Sequence, residues 1–436
     1  MVHPLLRQMT FLTRTKPISA YQFAVFRITF GLYLTVHFIQ LLPYAGELFS
    51  AQGVIGDPRL NPLYGVFPNP LAIWDAPIAV EMFLVLSAAV GLTFALGIFR
   101  RISALLLWFA WACLFNRNNL ISNPGLPYVG LLLILCALLP RGDRISIRPS
   151  AWRAQRDAAP RWYFPAWIYW STWILLAAGY TFSGLIKLAS PSWVNGEALM
   201  MLLENPLARD GIFREIALSL PSGLLKIMTW CALGLEILFL LLSFSRLTRM
   251  WAWGLMIVMH LGIVLLVDFA DLTIGMLVVH LFVLDPEWFP PPKDLRSKKN
   301  VVFFDGVCLL CNATVKFLSS EDDREMLYYA TLQGNTYRQL LPDIRRPDTN
   351  EFESIVFVEA MGMETERIST HSTAVSAILI SMGGYWRLLG CLMVLVPRAI
   401  RDCAYRVIAK HRYQWFGRTK GACELPTERE KARMLP

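Results

Sequence analysis

Cys308 and Cys311 stand one helical turn apart in the run Asp305-Gly306-Val307-Cys308-Leu309-Leu310-Cys311. If that run opens a helix, both sulfurs fall on one face. A helix start leaves backbone N–H groups unpaired and carries the positive end of the helix dipole, so it stabilises a thiolate there. A thiolate attacks a disulfide, and a second thiol nearby resolves the mixed disulfide. Cys308 is therefore expected to attack and Cys311 to resolve. Asp305 could accept a thiol proton, raise a neighbouring thiol's pKa, or simply cap the turn. The rival use of such a pair is half a zinc site, but structural zinc takes four ligands. Cys391, Cys403, His411 and Cys423 are scattered without a second close pair, so no metal is expected.

The flanking pattern says what must position the pair. Val301 to Phe304 is a short apolar run with strand propensity, and a helix-like stretch follows the cysteines to Leu318. Met326 to Ala330 and Ile355 to Glu359 are further strand candidates. Thr373 to Ile380, Trp386 to Val396 and Ala399 to Tyr413 read as helices. Strand, CxxC, helix and then alternation predicts an α/β, thioredoxin-like domain over 300–436. Pro290, Pro291 and Pro292 mark the linker before it.

The rest of the chain reads differently. Of 436 residues, 55% are hydrophobic and 17% charged, against about 25% charged in soluble domains. Residues 1–290 are predicted to form an α-helical polytopic bundle of eight spans: 21–42, 77–99, 102–116, 126–140, 163–188, 223–244, 250–267 and 271–285. Arg7, Arg14 and Lys16 precede the first span, and Arg100 and Arg101 follow the second. Arginines from Arg141 to Arg161 follow the fourth, Arg246 and Arg249 the sixth, and Lys293 to Lys299 the last. Every second connection is thus basic, which predicts both termini in the cytoplasm and a place in the plasma (inner) membrane. The first apolar run is expected to remain as an anchor, because no small-residue cleavage site follows it. The net charge of +9 belongs to this topology pattern, and no nucleic-acid partner is expected.

Ionisable groups within spans are costly and are functional candidates by default. Here they are Arg27, His37, Glu81, Lys187, Glu236, His260 and His280. The plainer role for each is an interhelical hydrogen bond or ion pair. Lys187 stands out because Gly184 precedes it by less than a turn, and Pro191 and Trp193 then fix the chain at the interface. An amine among apolar groups can serve as a neutral base. His37, Glu81 and Asp268 are expected on the same side of the membrane as Lys187, in a polar pocket.

Two resemblances follow from these residues. The segment from Phe304 to Asn312, with Gly383-Gly384, Pro397-Arg398, Arg401-Asp402, Tyr405, His411-Arg412-Tyr413, Phe416-Gly417 and Cys423, resembles the DCC family of thiol-disulfide oxidoreductases. That implies a disulfide-bearing protein or a small thiol as partner. The stretch around Lys187, with Arg27, Gly31 and His260, resembles the HTTM domain shared with vitamin K-dependent gamma-carboxylase. It implies a catalytic lysine at Lys187 and a quinone or naphthoquinone as a possible cofactor. The eukaryotic carboxylases carry Asn-Asn-His where this chain has Asn123-Pro124-Gly125, which points to a lipid-soluble substrate over protein carboxylation. The expected whole is a membrane thiol-disulfide oxidoreductase; the alternative is a non-catalytic scaffold or transporter with an accessory redox domain.

Overall fold

The computed structural model describes residues 15–123, 125–142, 144–147, 162–268, 271–293, 299–340, 354–419 and 431–436. Arg7, Arg14, the arginines from Arg148 to Arg161, Arg296, Lys298 and Cys423 lie outside them. The chain forms two compact units, Met1–Leu284 and Asp285–Pro436.

The first unit is helical. A two-residue strand, β1 (Thr15–Lys16), pairs antiparallel with β2 (Phe164–Pro165). The main helices are α1 (Ala20–Gln40), α2 (Pro77–Ala95), α3 (Arg100–Arg117), α4 (Leu126–Leu138), α5 (Ala166–Lys187), α6 (Ser222–Leu242), α7 (Arg246–Leu266) and α8 (Asp271–Phe282). A helix thus lies within each segment expected to span. Among the described residues, four helical stretches are long and apolar enough to cross a bilayer: Ala20–Phe49, Pro77–Ala95, Ser222–Leu242 and Arg246–Leu266. Of the others, α4 and α8 are short, α3 carries Arg100, Arg101 and Arg117, and the apolar character of α5 is diluted by its Trp, Tyr, Ser and Thr residues.

Close approach of backbones holds this unit together where the hydrophobic effect offers little within lipid. A Cβ on Gly31 of α1 would lie 2.7 Å from the Ala95 backbone nitrogen, and one on Gly91 of α2 would lie 2.7 Å from Thr35 Oγ1. The Thr35 hydroxyl donates to the Gly31 carbonyl at 2.8 Å. Buried arginines satisfy the carbonyls that helix ends leave unpaired. Arg27 donates to Ala95 O at 3.3 Å, at the end of α2, and to Ile145 O at 2.5 Å. Arg100 does the same beyond α4, donating to Leu139 O at 3.0 Å and Pro140 O at 2.6 Å.

The second unit centres on a four-stranded mixed sheet: β3 (Asn300–Phe304), β4 (Leu327–Thr331), β5 (Val356–Glu359) and β6 (Arg367–Thr370), in the order β4-β3-β5-β6. β3 runs parallel to β4 and antiparallel to β5, which pairs antiparallel with β6. Every residue of β3 is buried, as an apolar central strand requires. Val301, Phe303, Ala330, Leu332, Val356 and Val358 form the core of one face. The helices are α9 (Leu309–Glu321), α10 (Asn335–Leu340), α11 (His371–Met382), α12 (Gly384–Leu395) and α13 (Arg398–Phe416). The last residues cover the open edge of β4: Tyr329 N donates to Arg433 O and Leu435 N to Tyr329 O. β6 is an addition to the strands expected from sequence. Its four residues, Arg-Ile-Ser-Thr, are partly exposed and owe their conformation to pairing with β5.

Gly31→Val is expected to destabilise the first unit by roughly 1–3 kcal/mol through overpacking, lowering the thermal midpoint of detergent-solubilised protein. An unchanged midpoint would show that α1 and α2 do not meet at this glycine.

Candidate redox site

The site is a loop between the central strand and the first helix of the second unit. β3 ends at Phe304, and the Asp305 side chain turns the chain by accepting from Val307 N at 3.1 Å. Asn312 closes the turn by donating to Gly306 O at 3.1 Å. Cys308 is the N-cap of α9, with extended backbone, and its Sγ accepts from Cys311 N at 3.3 Å. A sulfur therefore fills the place usually taken by a serine or aspartate oxygen, accepting an amide of the first turn. One oxygen of Asp305, Cys308 Sγ and Cys311 Sγ all lie within 4.8 Å of one another.

The carboxylate is held from a distant part of the chain. Gln333 Nε2 donates to Asp305 Oδ1 at 2.9 Å. Arg412 donates to Oδ2 at 3.1 Å, and the Tyr413 hydroxyl donates to the same oxygen. Both side chains of the Arg412–Asp305 ion pair are buried. Burial alone would raise the Asp305 carboxyl, but hydrogen bonds from Tyr413, Gln333, the Val307 amide and Arg412 outweigh it and hold the carboxyl below its usual range. The Cys311 thiol moves the other way. Burial is the main cause of its rise, joined by its contact with Cys308 and by the Asp305 charge, while Arg412 opposes them.

A strap covers the attacking position. After α13, Gly417 turns the chain at φ +88°, a conformation glycine adopts without strain. Leu309 N then donates to Gly417 O at 3.3 Å, and Thr419 N to Val307 O at 2.9 Å. Cys308 and Arg418 face each other across this antiparallel bridge. Cys308 is fully buried, whereas Cys311 is half-exposed.

Among the described residues, Asp305, Cys308 and Cys311 are the one set of His, Cys, Asp and Glu donors close enough to share a metal. A structural zinc asks for four ligands, and here the carboxylate oxygens already accept from Val307, Gln333, Arg412 and Tyr413. Cys391 and Cys403 are exposed, and His411 stacks on Trp415 at 5.1 Å.

In the first unit, Lys187 is one partner of an ion pair and not an isolated amine. Its Nζ donates to both Glu236 oxygens at 2.6 Å. The pair is possible because Gly184 admits α6 closely: a Cβ there would sit 2.7 Å from Ile237 N. Ser183 also donates to Glu236, at 3.2 Å. The ammonium lies 4.4 Å from the Trp193 ring centroid. Two turns before Lys187 on α5, the Tyr180 hydroxyl meets His260 Nε2 at 2.7 Å. The His260 ring lies 5.6 Å from that of His280. His280 Nδ1 donates to Met276 O at 2.8 Å, while His260 Nδ1 and His280 Nε2 are buried without a hydrogen-bond partner.

Glu236 and Trp193, both candidates from the sequence, are thus the neighbours of Lys187, whereas His37, Glu81 and Asp268 have other surroundings. His37 packs on Trp111 at 4.7 Å between ring centroids. Glu81 is exposed on α2, and Asp268 pairs with Arg209 at 2.9 Å among exposed groups. Arg27 bonds carbonyls at the α2 terminus. Sequence reasoning missed Arg412, Tyr413 and Gln333 as site residues, and Tyr180 and Ser183 near Lys187. Only the run His411-Arg412-Tyr413 carried a signal, as part of a family resemblance.

With this geometry in view, comparison with known proteins decides the family. The HTTM domain matches residues 15–288. The chain belongs to the HTTM domain family. Residues 302–418 match the DCC1-like thiol-disulfide oxidoreductase domain, so this HTTM protein is a redox-domain fusion with apolar helices of a membrane protein. An uncharacterized Bacillus subtilis protein, YuxK, is 40% identical over 136 residues, covering 31% of this chain and 93% of its own length. A chloroplastic DCC family protein of Arabidopsis thaliana is 33% identical over 131 residues, 30% of this chain and 72% of its own. No solved structure matches the chain.

A carboxyl held low in the fold contributes stability that is complete above its unfolded value, about 3.9. That stability is lost as pH falls through the folded value. Asp305→Asn leaves Arg412 without its counter-charge, so a loss of roughly 3 kcal/mol is expected at pH 7. The gap to the wild type should narrow as the pH is taken below about 4. Thermal melts across this range test it, and a gap independent of pH would deny the charge any role.

Proposed function

We propose that the HTTM protein is a membrane-bound thiol-disulfide oxidoreductase whose reactive pair is Cys308 and Cys311. The observation that carries this reading is the Cys308 sulfur, set at a helix start and accepting the Cys311 amide within 4.8 Å of the second thiol. The second unit, with parallel β3 and β4 flanking the cysteine-bearing helix, is read as a thioredoxin-like fold.

The chemistry follows from the two environments. The Cys308 thiolate attacks one sulfur of a substrate disulfide, forming a mixed disulfide and releasing the other substrate sulfur as a thiolate. Cys311, kept protonated by burial and by the Asp305 charge, does not compete for this first step. In the second step Cys311 gives up its proton to solvent or to the departing sulfur. It then attacks Cys308 Sγ, closes the Cys308–Cys311 disulfide and frees the second substrate thiol. Two electrons pass to the substrate, and an external dithiol or a quinol must return them. Asp305 acts through charge and position; a carboxylate held this low is a poor proton acceptor. Substrate must displace the Gly417–Thr419 strap to reach Cys308.

Cys311→Ser is expected to accumulate a mixed disulfide with a model disulfide substrate, and Cys308→Ser to form none. Non-reducing electrophoresis and mass spectrometry read both. Two thiols inert to oxidation and to disulfides would sink the proposal.

A second reading concerns the first unit, which we propose acts on a quinone or another hydrophobic substrate. The buried nitrogens His260 Nδ1 and His280 Nε2 lack partners, and Trp193, Tyr180 and the Lys187–Glu236 pair lie on or beside the same helix. These groups fit a flat molecule with an apolar ring and polar oxygens. Lys187 would orient such a ligand and exchange a proton with its oxygen, and Trp193 would pack on its ring. A bound quinone would supply reversible two-electron, two-proton chemistry. Eight spans with cytoplasmic termini remain our topology, on the alternation of basic connections. Lipid extraction and mass spectrometry of purified protein should find a quinone that is reduced in amount by Lys187→Ala; its absence from both would remove this reading.

A further inference from the structure

α13 is built inside out. Its buried residues are Asp402 and Arg412, and the Tyr405 hydroxyl on the same side accepts from Ile355 N at 2.9 Å. Asp402 accepts from Ser372 N at 3.2 Å and from Arg398 Nε at 3.2 Å. The polar side of the helix therefore faces the protein.

The apolar side faces outward. Ile400, Ala404, Val407, Ile408 and Trp415 recur at helical spacing, and all are exposed. The turn that leads into the helix extends this surface: Leu395 is 78% exposed and Ile400 61%, with Leu392 and Val394 also exposed on α12. A polar-in, apolar-out helix is the reverse of what water selects, and a contiguous patch of this kind marks a binding surface.

Charge identifies the occupant. Arg406 and Lys410, both exposed, flank the apolar stripe on one side of the helix, while Arg398 pairs with Asp402. From 384 to 419 the only acidic residue is Asp402, and it is buried against Ser372. An apolar stripe edged by cations and free of exposed acid is the composition of a helix lying in a membrane interface. The same chain carries helices long enough to cross a bilayer, so a lipid surface is within reach.

We propose that the outer face of α13, with the exposed end of α12, docks the redox unit on an anionic lipid surface. The apolar side chains enter the headgroup boundary while Arg406 and Lys410 meet phosphate. This holds the unit in one orientation and requires nothing of the cysteine chemistry.

The test uses the full-length chain in vesicles of phosphatidylcholine, with or without phosphatidylglycerol, doped with a photoactivatable phospholipid. Adducts are mapped by mass spectrometry. Lipid adducts within 392–416 are expected in the anionic vesicles. They should fall severalfold without phosphatidylglycerol, in high salt, and in the variant Arg406→Glu/Lys410→Glu. They should also be lost in Leu395→Asp/Ile400→Asp, whose exposed positions leave the core untouched. Adducts confined to residues before 285 would overturn the proposal, as would labelling indifferent to lipid charge. Cross-links joining two copies through this face would overturn it in favour of a self-association surface.

Discussion

One buried ion pair organises the redox unit. Asp305 sits at the end of the central strand and Arg412 near the end of the last long helix, and their contact closes a separation of 107 residues. A buried pair of this kind gains little over apolar packing, but breaking one side is costly. Its worth lies in specificity: only one docking of α13 satisfies both charges along with the Tyr413 hydroxyl. That docking also sets where Gly417 turns the chain, and so where the strap crosses Cys308. The local cysteine motif thus depends on a contact that no local rule supplies.

The same principle governs the first unit in a different solvent. Polar groups there are satisfied by protein because lipid offers nothing. Arg27 and Arg100 spend their donors on helix-end carbonyls, and Lys187 and Glu236 neutralise each other. Against that background His260 Nδ1 and His280 Nε2 are buried without hydrogen-bond partners, as are the Nε atoms of Arg117 and Arg249, and buried polar atoms left in this way ask for an explanation. Buried charge alone would not have distinguished them, since the most deeply buried cation, Arg27, is fully occupied by carbonyls.

How much of this was legible depended on range. The Cys308–Cys311 pair, the helix it opens and strands β3, β4 and β5 were readable, because apolar run length and a three-residue spacing are local properties. Helix α13 was readable as a helix, but its orientation was not. Periodicity shows that an apolar stripe exists and leaves open which side faces the protein. β6 escaped because Arg-Ile-Ser-Thr has no strand signature apart from its partner. In the first unit the ionisable residues were legible one by one, yet their pairing was not. Lys187 pairs with Glu236 because Gly184 lets α6 approach at that level; sequence shows the glycine but not the helix that meets it.

The balance between charge and burial explains why the two cysteines differ although their side chains are identical. Cys308 gains an amide donor from the helix start. Cys311, one turn inside, spends its own amide on Cys308, and burial, the contact with Cys308 and the Asp305 charge push its thiol up. Moving the ion pair would alter both at once: without Arg412 the carboxylate charge would press unopposed on Cys311, and α13 would lose the anchor that leads Gly417 to the motif. Reactivity and access at the sulfur pair are therefore coupled through a single contact.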